Sequence, residues 1–179
     1  MAILRSNVDY AKQIFAARLG DPYVYGGTWC STDPTVGCDC SGLVTDVLSA
    51  VFFGPDGMVW DRENLSTESY RYWSPGPHQI GPFDLVQVTS WQDFPDDAAV
   101  IINIHHEGEG GPDSHMNCAV DGVYMESNGD QGCCTAGTGA MLKDNPYWND
   151  FWYAPGPIVE DTAGLLDSST LQILAGQFL

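Results

Sequence analysis

Residues 20–53 read GDPYVYGGTWCSTDPTVGCDCSGLVTDVLSAVFF. The first half is crowded with Gly and Pro, which forbid a regular helix and mark a long loop. The second half changes character near Cys40. Val44, Val47, Leu48 and Val51 recur at three- and four-residue steps, which predicts a helix from about Cys40 to Phe53. The GPDG that follows stops it. A cysteine therefore stands where a loop turns into a helix. Unpaired N–H groups and the helix dipole favour negative charge at such a place, so Cys40 is the candidate thiolate nucleophile. Ser41 and Gly42 beside it are small and let a substrate backbone approach. The plain alternative is a buried packing thiol, the commonest fate of a free cysteine.

Outward from this stretch, Val8, Ala11, Ile14, Phe15 and Leu19 predict a helix over 7–19, capped at Ser6 or Asn7 and ended by Gly20. Residues 54–83 are mostly loop, with a short helix near 66–73. DLVQV at 84–88 and AAVIINI at 98–104 read as strands. SHMNCAV at 114–120 and GVYMES at 122–127 flank Asp121-Gly122, a strong hairpin signal. The aromatic segment NPYWNDFWYAPGP is expected to pack onto the domain as its closing piece. Residues 159–179 are expected to form a terminal helix or a linker, leaving a domain over 1–158. Helices first and antiparallel strands after give an α+β fold class.

The 179 residues suit one domain. Six Trp and eight Tyr argue against a disordered chain. Six Lys plus Arg against 24 Asp plus Glu leave a net charge of −18. Such a surface repels phosphate backbones, so no nucleic acid partner is expected. No apolar run reaches the ~18 residues of a membrane span, and the opening MAILRSNVDYAKQ lacks a signal-peptide pattern, so synthesis in a cytoplasm without membrane insertion is expected.

A base for Cys40 must be near in space rather than in sequence. His78 lies in a Pro-rich loop, and His105 and His106 sit at a strand end beside acidic residues; a surface pair or weak metal ligands are the options, but most adjacent His pairs are neither. His115 opens a strand of the hairpin. With a two-residue turn at Asp121-Gly122, Val120 faces Val123 and His115 faces Asn128. Glu126 then lies diagonally from His115 on the same sheet face. Either Glu126 or Asn128 can accept from the second imidazole nitrogen and fix the tautomer. A surface polar cluster is the alternative. Among the other cysteines, Cys30 and Cys38 bracket a loop and can bridge after release from the cell. A zinc on Cys30, Cys38, Cys133 and Cys134 has non-standard spacing, so unpaired thiols, no metal and no cofactor are expected.

The ordered set PYVYGG, GCDCSGLV, FDLVQV, SHMNCAV and GVYMES resembles NlpC-type cell-wall cysteine peptidases. The resemblance covers about residues 10–128. It implies a papain-like fold in which a helix-borne cysteine packs on an antiparallel sheet, with Cys40 as nucleophile and His115 as general base. The family's third position is usually His and falls here on Glu126, which leaves Glu126 and Asn128 both open. Tyr23 matches a tyrosine that lines the site and helps hold the oxyanion, and Asp39 a position that contacts the stem peptide. Ser41 and Asn128 are further candidate lining residues. Glu at the third position, the long insertion after the helix and the aromatic C-terminal segment look more like the N-terminal peptidase domain of a phage endolysin, as in lysins from phages of mycobacteria and related hosts.

The implied substrate is the stem peptide of bacterial peptidoglycan, cut between D-glutamate and meso-diaminopimelate. The competing functions are an N-acetylmuramoyl-L-alanine amidase, an acyl transferase and a non-catalytic wall-binding module. Modular lysins of this kind act on the wall after passing through the membrane and carry further modules, toward which the tail from Val159 would lead.

Overall fold

The computed structural model describes residues 2–60, 65–71, 81–108 and 113–161. His78, the end of the helix expected near 66–73 and the tail beyond Asp161 lie outside them. Two helices come first. α1 (Arg5–Ala16) buries Val8, Ala11, Ile14 and Phe15, the expected apolar stripe. It begins two residues earlier than expected, at a Leu4 N-cap without a side-chain hydrogen bond. Ser6 and Asn7 have other partners: the Ser6 hydroxyl donates to Asp161 and the Asn7 amide to the Val51 carbonyl. Leu19, placed on the stripe from sequence, lies beyond the helix and is exposed.

α2 (Cys40–Gly57) is buried along its length from Cys40 to Val51. It lies between α1 and the sheet, which explains why its sequence is apolar on more than one face. Gly54, at φ 65°, breaks the regular helix where GPDG predicted the stop. α3 (Thr67–Arg71) is a single short turn of helix.

The strands are β1 (Ile3–Leu4), β2 (Val86–Val88), β3 (Val100–His105), β4 (His115–Val120), β5 (Val123–Asn128), β6 (Gly132–Cys134), β7 (Asp150–Tyr153) and β8 (Ile158–Val159). Six of them form a sheet in the order β2-β7-β3-β4-β5-β6, antiparallel at each pairing. β1 and β8 pair in parallel, so the two ends of the described domain meet. The expected hairpin is present, with Val120 opposite Val123. Asp121 and Gly122 have φ of 45° and 79°, the doubly left-handed turn that an Asp-Gly pair makes cheaply.

Two expectations change. The aromatic C-terminal segment does not lie on the domain; its DFWY enters the sheet as β7, between β2 and β3. Trp152 is fully buried there, edge-on to Tyr70 at 5.7 Å. Its leading Asp150 disguised the strand. That carboxylate is buried but accepts from Gln87 (2.8 Å), His106 (2.9 Å) and the Trp152 indole (3.0 Å), which offsets its desolvation. β2 is accordingly an edge strand, shortened to Val86–Val88 by a 3-10 turn over Pro82–Asp84.

The main core joins α1, α2 and one sheet face, centred on Leu43, Val47, Leu48, Ile102, Ile104, Met125 and Trp152. A smaller cluster of Val88, Phe94, Trp148 and Phe151 forms another apolar centre. The result is an α+β domain in which a buried helix carries Cys40 against an antiparallel sheet that carries His115, the arrangement the resemblance implied.

Candidate active site

Cys40 is the first residue of α2, and Asp39 is its N-cap. One Asp39 oxygen accepts from the Gly42 amide at 2.7 Å and from the Ser41 hydroxyl at 3.0 Å; the other accepts from the Gly26 amide at 2.9 Å. Asp39 and Ser41 thus hold the loop before Cys40 onto the helix start. Gly42 is required by packing. A Cβ there would meet the Gly27 carbonyl oxygen at 2.2 Å, so YGG and DCSG fit each other backbone to backbone.

The loop is anchored behind the site. Trp29 is fully buried, and its backbone amide donates to Asp46 of α2 at 2.9 Å. The buried Arg18 guanidinium lies over the Trp29 ring at 5.1 Å and donates to the Cys30 carbonyl at 2.8 Å. A long irregular loop is in this way fixed to both helices.

His115 shares a hydrogen bond with Glu126 through Nε2, at 3.0 Å. The Cys40 thiol lies close enough to the imidazole to raise its pKa. With Nε2 on the carboxylate, Nδ1 is the nitrogen left for the sulfur. Burial disfavours the imidazolium, but the neighbouring Cys40 and the hydrogen-bonded Glu126 outweigh it and push the His115 pKa up to about 9. Glu126 is 0% exposed. Burial opposes its charge, yet hydrogen bonds from His115, Asn117 and the Met141 amide hold it below the ordinary carboxylate range. The Asn117 and Met141 donors each lie 2.8 Å from its second oxygen.

Asn128 takes a different place from Glu126. Its amide donates to Glu126 at 3.1 Å, and its oxygen accepts from the Gln131 amide at 2.9 Å. It therefore supports the carboxylate and the turn after β5, while Glu126 meets the imidazole. Tyr23 lines the cleft, with its phenol pKa pushed up to about 12 by burial and by the neighbouring Cys40 and Asp39. It stays a protonated donor at neutral pH. The cleft has a volume of about 480 Å³ and is lined also by Ser114, His115, Glu126, Asn128 and Met141.

Of the other histidines, His105 binds the Tyr147 carbonyl at 2.6 Å and Glu107 at 2.8 Å. His106 is paired with Asp150 of β7 at 2.9 Å and lies 3.8 Å from Glu68 of α3. Among the described residues no group of three or more His, Cys, Asp or Glu is placed to hold a metal ion. The six cysteines are free thiols.

Three contributors were missed from sequence. Asn117 supports Glu126 and is itself held by Asn103 at 2.9 Å. It lies two residues after His115 on β4, so the strand period already placed it on the same face. Trp148 stacks on His115 at 5.9 Å and 18° between planes, and Tyr147 stacks on His105 at 4.0 Å. No local pattern reveals these two, because the sheet order brings them to the site.

A family model described as Endolysin A matches residues 1–161. Endolysin A of Mycobacterium phage L5 is 29% identical over 175 residues, covering 89% of this chain and 58% of that protein. The chain thus spans a little over half the length of this curated relative. Among the solved structures that match, two have a TM-score of 0.45. One is described as similar to a lipoprotein of the NLP/P60 family, from Staphylococcus aureus; it is 18% identical and covers 76% of this chain and 38% of its own. The other is the P60 domain of an antigen from M. avium subspecies paratuberculosis; it is 17% identical and covers 83% of this chain and 94% of its own. With the family model spanning nearly all the described residues, the chain belongs to the Endolysin A family.

Proposed function

We propose that this domain is a cysteine peptidase that hydrolyses the stem peptides of bacterial peptidoglycan during phage-induced lysis. The observation that carries this reading is His115, held between the Cys40 thiol and the buried Glu126 carboxylate at the wall of an open cleft. The relative's name, endolysin, supplies the biological setting.

In this mechanism His115 takes the Cys40 proton, and the thiolate attacks the scissile carbonyl. The oxyanion forms at the start of α2, where the Cys40 amide and the Tyr23 hydroxyl are its donors. Losing one such donor typically costs ~3 kcal/mol in the barrier. The imidazolium, stabilised by Glu126, then protonates the leaving amine. Water attacks the thioester, with His115 again as base, and regenerates the thiol.

The bond between D-glutamate and meso-diaminopimelate is the proposed cut. Digestion of purified peptidoglycan with the domain, followed by mass spectrometry, tests it. New amino groups on diaminopimelate support the endopeptidase. A freed lactyl group on muramic acid would make the enzyme an amidase. No fragments at all, with the wall still bound, would make it a binding module. Residues 1–158 form the proposed catalytic unit, and 159–179 the lead toward a further module.

A further inference from the structure

The mechanism leaves five of the six thiols unused. Two of them, Cys38 and Cys133, are 95 residues apart in sequence with sulfurs 3.8 Å apart. Both are buried. Their backbones are framed independently. Cys38 bridges Tyr23 in a short parallel pairing, and its carbonyl accepts from the Ser127 hydroxyl at 2.7 Å. Cys133 exchanges backbone hydrogen bonds with the loop start: its amide donates to Asp21, and its carbonyl accepts from Gly20, both at 2.8 Å. The two sulfurs are thus brought together by structure on each side, and Cys38 lies two residues before the nucleophile. A separate cavity of about 310 Å³, lined by Gly20, Gln131, Cys133, Cys134 and Thr138 among others, reaches Cys133 without passing through the active-site cleft.

We propose that Cys38 and Cys133 are a disulfide site, closed by a low-molecular-weight disulfide when the domain reaches an oxidising medium, and that the bond staples the nucleophile's loop to β6. The sulfurs need to approach by about 2 Å to reach the ~2.05 Å of a bond. The step balances as thiol–disulfide exchange. The Cys133 thiolate attacks one sulfur of the oxidant, forming a mixed disulfide and expelling one small thiolate. The Cys38 sulfur, giving up its proton, then attacks the Cys133 sulfur and expels the second. Two protein thiols are oxidised, and one small disulfide is reduced to two thiols. The roles follow from the pairing. The hydrogen bond from Cys38 holds Cys133 below the ordinary thiol range, whereas Cys38 is pushed far up by that same bond and by burial.

The occasion for oxidation rests on the proposed role outside a reducing cytoplasm; the bond itself does not. The test uses Cys40→Ala, which removes the reactive thiol and leaves five. The reduced protein is incubated with oxidised glutathione under native conditions, then alkylated in denaturant and mapped by mass spectrometry. The expected result is the loss of two alkylatable thiols, a peptide crosslinked through Cys38 and Cys133, no retained glutathione, and a thermal midpoint that rises and is reversed by dithiothreitol. Adding Cys38→Ala should leave glutathione trapped on Cys133; adding Cys133→Ala should leave neither adduct nor crosslink. Five alkylated thiols, or a crosslink through Cys30 or Cys134 instead, would overturn the site. Wall digestion by the reduced wild-type domain is scored separately, so failure of one proposal does not pass for failure of the other.

Discussion

At the residue scale the proposed chemistry rests on three side chains whose charges depend on one another. Cys40→Ala should abolish wall digestion and leave the circular dichroism spectrum unchanged, since the thiol fills little volume at the helix start. Cys118→Ala, deep in the core and away from the cleft, is the matched control and should stay active. Because part of the upward shift of His115 comes from Cys40, the same Cys40→Ala change should lower the imidazole pKa measured by NMR from about 9. An unchanged titration would mean the sulfur does not face the ring. The shifts also set a pH window for stability. The folded-state pKa of His115 is raised from 6.5, so its stabilising contribution is whole below that value and is lost as pH rises through about 9. Glu126 is depressed from 4.5, so its contribution is whole above that value and is lost as pH falls through the lowered one. Denaturant midpoints across pH should therefore show a Glu126→Gln variant losing the most, relative to wild type, between these limits. Glu126→Gln should also cut the rate by roughly 10²–10⁴-fold, the range for a group that orients a general base. Asn128→Ala should do less, because it touches the carboxylate and not the ring. The reverse order in kcat/KM would make Asn128 the third member.

At the element scale the question is what places those side chains. Gly42→Ala drives a methyl group into the Gly27 carbonyl and should cost about 1–3 kcal/mol in urea unfolding, with a larger loss of activity than of stability because α2's first turn shifts. Trp152→Ala on β7 should cost about 3–5 kcal/mol, as large aromatic deletions from a closed core do. A change near zero would mean β7 is not built into the sheet. These elements differ in how far sequence revealed them. α2 and the β4–β5 hairpin were legible because their signals are local: an apolar stripe ending at Gly54, and an Asp-Gly turn that fixes register. Counting from that turn put Glu126 on the face of His115, and the 3.0 Å contact agrees. β7 was not legible, since Asp150 opens it and the Gln87 and His106 side chains that help satisfy that carboxylate come from distant segments, on β2 and just after β3. Trp148 went unseen for the same reason. Asn117 was within reach of the strand period, but a polar residue there looked like surface until Glu126 was known to be buried.

At the scale of the whole molecule, the sheet order joins segments far apart in the chain. β7 sits between β2 and β3, and β1 pairs with β8. Ending the chain before residue 150 should therefore abolish cooperative unfolding altogether, not trim an appendage; a truncated domain that still melts in one sharp calorimetric transition would contradict this. A chain leaves the ribosome from its N-terminus, so the segments bearing Cys40 and His115 are exposed well before Trp148 and β7 have been polymerised. The last strand of the six-stranded sheet to be made is one the sheet must admit between two strands already made, β2 and β3. Competence then arrives as a late event of translation, and a prematurely terminated message would yield a protein that carries the reactive groups without the frame that aligns them.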